Sequence, residues 1–148
     1  MWRLATAADD LAVLEMFQAL YREDPSPDPV PDEQLLRTLR ALRKEPVRGR
    51  AIVLESDGAC VGYALLVSFW SNELGGEVAN IDELYVAPDH RGRGAGTRLV
   101  EQLSRGELWG RVPVAIDLEV TPDNHRAKAL YERLGFVVAK NTVMRRRL

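Results

Sequence analysis

The chain predicts a mixed α+β domain, a central sheet with helices on its faces. Two kinds of segment carry this. Runs rich in β-branched and aromatic residues end in Gly, Pro and Asp turn signals and read as strands. Other stretches repeat apolar residues at helical spacing. Their order is the third observation: hairpin-linked strands come first and strand–helix–strand units later, which implies a sheet of mixed direction. At 148 residues the chain has the usual size of one domain, and 1–148 is read as a single unit.

Trp2 to Ala5 is a short strand, and Thr6 or Asp9 caps the helix after it. Leu11, Leu14, Met16, Phe17, Leu20 and Tyr21 give that helix a broad apolar face. Pro25, Pro27, Pro29 and Pro31 then alternate with other residues. Such a run fits neither a helix interior nor a central strand, so it is a stiff, acidic loop. A second helix begins near Asp32, with Leu35, Leu36, Leu39 and Leu42 on one side and Arg37, Arg40, Arg43 and Lys44 on the other. Ala51 to Glu55 and Cys60 to Trp70 are strands joined by a turn at Asp57-Gly58, a strong hairpin signal. After a loop from Ser71 to Gly76, Glu77 to Val86 is the next strand. A helix follows from Thr97, then a strand over Val112 to Val120 that contains Pro113. The last helix starts at Thr121 to Asn124 and ends near Leu134, with Gly135 as its stop. Phe136 to Ala139 and Thr142 to Met144 suggest a closing hairpin.

Composition removes several function classes. The apolar fraction of 46% is ordinary, and the net charge of -2 gives no basic face for nucleic acid. Arg145-Arg146-Arg147 reads as a solvated end. Cys60 is the one cysteine, so no disulfide forms within the chain and a reducing cytoplasm is expected. His90 and His125 have no metal-ligand spacing with Cys60, and no metal is expected. No apolar stretch has the length of a membrane span, and the N-terminus lacks the shape of a signal peptide. A soluble protein, monomer or homodimer, with no nucleic-acid or membrane partner is the expectation.

The most informative segment is Arg91-Gly92-Arg93-Gly94-Ala95-Gly96, between a strand and a helix start. Glycines let the backbone bend and come close to a ligand. The first N–H groups of a helix lack internal partners and carry the positive end of its dipole. Together they form an anion cradle suited to a phosphate; a flexible basic turn is the plainer alternative. A P-loop is excluded because no Lys follows the glycines. A dinucleotide fingerprint is excluded because its third glycine falls on Thr97 or Leu99.

A second motif lies downstream, Asn124-His125-Arg126-Ala127-Lys128-Ala129-Leu130-Tyr131-Glu132-Arg133-Leu134-Gly135-Phe136. With Arg91-x-x-Gly94-x-Gly96 it resembles the GCN5-related N-acetyltransferase (GNAT) family. That family carries Gln/Arg-x-x-Gly-x-Gly/Ala and then Asn-x-x-Ala-x-x-x-Tyr-x-x-x-Gly-Phe. Both match without a gap, and the order of elements is similar along essentially the whole chain. The resemblance implies a mixed, mostly antiparallel sheet of about six to seven strands with about four helices. It implies acetyl-CoA as co-substrate. Its pyrophosphate would sit on Arg91, Gly92, Arg93, Gly94, Ala95, Gly96 and Thr97. Its pantetheine arm would lie along Leu84, Tyr85 and Val86, with Asn124, Ala127 and Tyr131 beside it. Asn124 also reads as a simple helix cap.

Acetyl transfer to nitrogen needs a neutral amine, a place for the oxyanion and a proton for the departing thiolate. An alkylamine has a pKa of about 10, so a base or a proton wire must act. By resemblance Tyr131 is the acid, although a core aromatic would occupy the same helix face. Glu83 and Glu119 are the candidate bases, with Asp82 behind them. Asp82 and Glu83 are adjacent and should face opposite sides of a regular strand, unless a bulge intervenes. These carboxylates could equally serve only to orient a cation. The acceptor end offers Tyr21, Glu23, Trp70, Asn72 and Glu73, acidic and aromatic residues that suit a cationic amine. The expected acceptor is a small cationic amine (aminoglycoside or polyamine-like) or a peptide amine. A non-catalytic acyl-CoA-binding module is the competing class.

Overall fold

The computed structural model describes residues 1–147. One sheet holds five strands in chain order: β1 (Trp2–Leu4), β2 (Gly49–Ser56), β3 (Ala59–Ser71), β4 (Gly76–Val86) and β5 (Ala115–Leu118). β1 to β4 are antiparallel neighbours, and β5 runs parallel to β4. The helices are α1 (Asp10–Glu23), α2 (Asp32–Lys44), α3 (Ala95–Ser104) and α4 (His125–Arg133). No helix among the described residues is long and apolar enough to cross a membrane. The mixed α+β architecture is the one expected.

Alternation along the strands sorts the core into two layers. Val53, Tyr63, Leu65 and Tyr85 face α1 and α2, where they meet Val13, Phe17, Leu35 and Leu39. Ile52, Leu54, Ala64, Leu66, Ala79 and Ile81 face the other way, onto Leu99 and Leu103 of α3 and onto Trp109. Trp2 pins the start of α3 from this side, its indole N–H donating to the Ala95 carbonyl at 2.9 Å. The β2–β3 turn has Asp57 and Gly58 at φ 52° and 77°, the left-handed pair that a two-residue hairpin requires.

Asp9 is the buried charged residue among the described ones. Arg3 donates to both its oxygens at 2.9 Å, and the Thr6 N–H adds a third bond at 2.7 Å. The Arg3 guanidinium holds this carboxyl far below the usual range. Cys60 is half-buried, and its thiol lies 3.4 Å from Asp9 Oδ1.

Four expectations are corrected. The closing hairpin does not form: residues 136–147 contain no strand, and Val137, Val138, Val143 and Met144 are exposed. The sheet therefore has five strands rather than six or seven. Short apolar runs make a strand only against a neighbour, and here the outer edge of β5 takes none. β5 itself is shorter than Val112 to Val120 because Pro113 donates no N–H and the chain joins β4 only from Ala115. Leu11 is 76% exposed. The inner face of α1 is instead Val13, Met16 and Phe17, with Leu14, Leu20 and Tyr21 partly covered.

Candidate active site

The site lies where β4 and β5 part. The two strands pair from Val78↔Ala115 to Ile81↔Leu118, and β5 ends there. β4 continues to Val86, paired only with β3. Its far edge from Asp82 to Val86 is therefore open. The Ala87 N–H donates across to Val61 of β3 at 2.9 Å. Alternation then turns the backbone groups of Val86 and Leu84 to the open side, and the intervening Tyr85 is buried against Tyr63. This is the strand edge on which a pantetheine amide could pair, and only the tertiary structure could reveal it.

The open edge leads into the glycine-rich loop. Gly92 and Gly94 have φ of 75° and 76°, a region that favours glycine. Space is also short. A Cβ on Gly92 would stand 3.1 Å from the guanidinium of Arg126, and one on Gly94 3.2 Å from that of Arg98. Among the described residues, no protein acceptor takes the N–H groups of Gly92 to Thr97. Six donors around a helix start, beside Arg93, Arg98 and Arg126, fit a pyrophosphate. Arg126 and Arg98 were missed in the sequence. Arg126 lies inside the second motif, but only the packing of α4 against the loop brings it over Gly92. Arg98 is exposed and is drawn to the loop by its bond to the Arg93 carbonyl at 2.7 Å.

Arg91 is engaged within the protein. Its Nε donates to the Val86 carbonyl at 2.6 Å and its Nη2 to both Glu23 oxygens at 2.9 and 2.8 Å. The guanidinium also lies 5.3 Å from the centre of the Tyr85 ring. Its side chain braces the loop against α1. Thr97 is half-buried one turn into α3.

A bulge places the carboxylates. Leu65 pairs with Glu83 and Leu66 with Ile81, so Asp82 has no partner. The extra residue reverses the alternation. Without it Glu83 would share the α3 side with Ile81; with it Glu83 joins Leu65 on the side of α1. There Tyr21 donates to Glu83 Oε1 and Tyr63 to Oε2, each at 2.8 Å. Burial pushes the Glu83 carboxyl up, and the two phenols partly offset this. Asp82 sits at the fork with Glu119 just past β5. Partial desolvation and the Glu119 charge raise its pKa, with Arg145 opposing. Glu119 is exposed.

Tyr131 is buried on α4, and that burial raises its phenol pKa. The Gly-Phe of the motif explains its fixed position. The Gly135 N–H bonds the Glu132 carbonyl at 3.1 Å and the Phe136 N–H bonds the Tyr131 carbonyl at 3.0 Å. Gly135 has φ 89°. This is a Schellman stop, and it lays the Phe136 ring edge-on to Tyr131 at 5.4 Å. At the other end Asn124 accepts from the Ala127 N–H at 3.1 Å, so it caps α4. Ala127 is half-buried behind it.

The expected acceptor residues separate into two groups. Tyr21 and Glu23 reach the centre, bound to Glu83 and Arg91. Trp70, Asn72 and Glu73 stand exposed at the β3–β4 tip. Trp70 pairs with Glu77, roughly 20 Å along β4 from Glu83 at the usual strand rise. The C-terminal segment approaches the acidic side, where Arg147 pairs with Asp28 at 2.9 Å. Among the described residues, no group of three or more His, Cys, Asp or Glu could hold a metal.

Residues 12–136 match the acetyltransferase (GNAT) family. A mycothiol acetyltransferase of Parafrankia sp. is 34% identical over 137 residues, 90% of this chain and 37% of that protein. The chain spans about a third of the length of the curated relatives it matches. A possible acetyltransferase from Clostridium difficile 630 superposes with a TM-score of 0.81 at 20% identity, covering 100% of this chain and 97% of that one. The ribosomal-protein-alanine N-acetyltransferase of Brucella melitensis biovar Abortus 2308 gives 0.74 at 19% identity, covering 100% and 98%. These two structures share the fold.

Proposed function

The chain belongs to the acetyltransferase (GNAT) family, and on that premise we propose that it transfers the acetyl group of acetyl-CoA to a primary amine by direct attack in a ternary complex. The observation that carries this reading is the open edge of β4 running into a loop of free N–H groups. Acetyl-CoA supplies an activated thioester when bound. The loop from Gly92 to Thr97, with Arg93, Arg98 and Arg126, would hold its pyrophosphate. Leu84 and the N–H of Val86, whose carbonyl is taken by Arg91, would offer backbone groups to its pantetheine amides.

Glu83, poised by burial, takes a proton from the amine directly or through water. The amine nitrogen then bonds the acetyl carbon. A backbone N–H on the open edge of β4 donates to the oxyanion. The carbon–sulfur bond breaks, Tyr131 gives its proton to the leaving sulfur, and the extra proton on the new amide nitrogen returns to the Tyr131 phenolate through water. A raised phenol pKa keeps that proton in place until the thiolate forms. Asp82 and Glu119 add negative charge at the fork and draw in a cationic acceptor.

The acceptor is a small cationic amine, as an aminoglycoside or polyamine would present, acted on in the cytoplasm. A second reading, a peptide N-terminus, is favoured by Glu119 at the fork and by the fold shared with the ribosomal-protein-alanine enzyme. An amine panel with acetyl-CoA, followed by release of free thiol, tests the proposal. Turnover of small polyamines or aminoglycosides is expected. Turnover of peptides alone selects the second reading. Tight CoA binding with no turnover on any amine replaces the enzyme by a binding module.

A further inference from the structure

Both oxygens of Glu83 are held, and the donors come from two different elements. Tyr21 stands on the last turn of α1 and Tyr63 on β3, and each hydroxyl lies 2.8 Å from its oxygen. Neither ring is loose. Tyr63 is fully buried, with the Tyr85 ring 6.4 Å away. The Tyr21 ring lies 4.6 Å from that of Phe17. A carboxylate oxygen has about two lone-pair sites. One phenol on each leaves one free, enough for a water or an ammonium. A carboxylate fastened at both oxygens keeps one rotamer.

We infer that Tyr21 and Tyr63 are positioning residues for acetyl transfer: the two phenols fix Glu83 in place and favour its ionised form, the form able to accept the amine's proton. This rests on the reading of Glu83 as the base. The same turn of α1 carries Glu23, which grips Arg91 beside the glycine-rich loop. One helix end therefore touches both the base and the loop that would hold the acetyl donor.

The charged and titratable surroundings of Glu83 are few. On its own strand are Asp82 and Tyr85. From α1 comes Tyr21 and from just past its end Asp24, which acts on Tyr21; from β3 comes Tyr63. Glu119 and Arg145 act on Asp82 one step further out. Asp82 is the carboxylate that disfavours the ionised Glu83. The phenols are the direct donors that favour it.

Loss of a donor to the ionised form raises a carboxyl pKa. Tyr21→Phe and Tyr63→Phe should each move the acid limb of kcat/KM up by about one pH unit, and the double variant further. The profiles are recorded on whichever amine is turned over, with CoA affinity and thermal melts measured alongside. A purely structural role lowers activity by the same factor at every pH. That outcome, or an unmoved limb in both variants, overturns the clamp. Tyr21→Phe, whose ring is half-exposed, keeps the test open if the Tyr63 variant melts early. Glu83→Gln separates the two ideas. If it keeps the acid limb, the base reading fails and the clamp with it. If it loses the limb while both Phe variants keep theirs in place, the base stands and the clamp alone falls.

Discussion

Replacing Gly94 by Ala isolates what the glycine-rich loop contributes. Gly94 precedes α3 at φ 76° and ψ 17°. A left-handed residue with a Cβ costs about 1–2 kcal/mol. The steric part is small, because the new methyl would meet only the end of Arg98 at 3.2 Å, and that side chain can swing away. The backbone term therefore dominates. If the loop escapes the left-handed state when free and must regain it to hold the pyrophosphate, CoA binding weakens by about 5- to 30-fold. If the fold enforces that state regardless, the cost appears as stability, at roughly 4 °C of Tm per kcal/mol for a chain of this size. Calorimetric titration of CoA and a thermal melt distinguish the two. Gly58→Ala is the control. It has φ 77° with nothing within 4 Å, so it carries the same backbone cost in the β2–β3 turn, outside the loop. Gly94→Asn should recover part of the loss, since Asn tolerates this conformation. The reasoning fails if Gly58→Ala weakens CoA as much as Gly94→Ala does. It fails equally if Gly94→Ala changes neither affinity nor Tm.

Tyr131→Phe should lower kcat by about a hundredfold or more while CoA affinity stays within about twofold; unchanged turnover removes Tyr131 as the acid. Glu83→Gln should abolish the acid limb of the pH–rate profile, which burial sets above the usual carboxylate range, and Glu119→Gln should leave it; the reverse pattern makes Glu119 the base. Asp9→Asn should destabilise the fold by about 2 kcal/mol at pH 7, below the range for a fully buried pair because Arg3 is partly exposed. The sign follows from linkage. The folded pKa of Asp9 is depressed, so its contribution is complete above the unfolded value of about 3.9 and is lost as pH falls through the folded one. Urea melts between pH 3 and 7 should show the gap between wild type and Asp9→Asn closing on the acid side.

The features legible in the sequence are those whose causes lie within a few residues. Gly92 and Gly94 before a helix start announce a bent backbone with free N–H groups, and both indeed have positive φ. Asp57-Gly58 forms its hairpin turn and Gly135 its helix stop, because turn and cap chemistry is local. The motif from Asn124 to Phe136 is a complete local device: cap, buried tyrosine, Schellman stop and the ring that holds the tyrosine. Tyr63 was not legible as a site residue. In a strand of apolar residues it is indistinguishable from core until its partner across the sheet is known.

Partnership between distant strands settled the rest. One unpaired residue at Asp82 decides which side of the sheet Glu83 faces, because side chains alternate with a period of two and a single insertion reverses every one beyond it. The separation of β4 from β5 after Ile81 and Leu118 opens the edge beside the loop, and no residue in either strand announces it. The same dependence left Val137, Val138, Val143 and Met144 exposed, since a short apolar run forms no strand unless a sheet edge receives it. The sequence alone determined the bent glycine-rich turn before α3 and the placed tyrosine, through backbone conformations that short-range chemistry dictates. Tertiary structure decided which carboxylate the two phenols hold and where the sheet opens, because register and pairing belong to contacts between residues far apart in the chain.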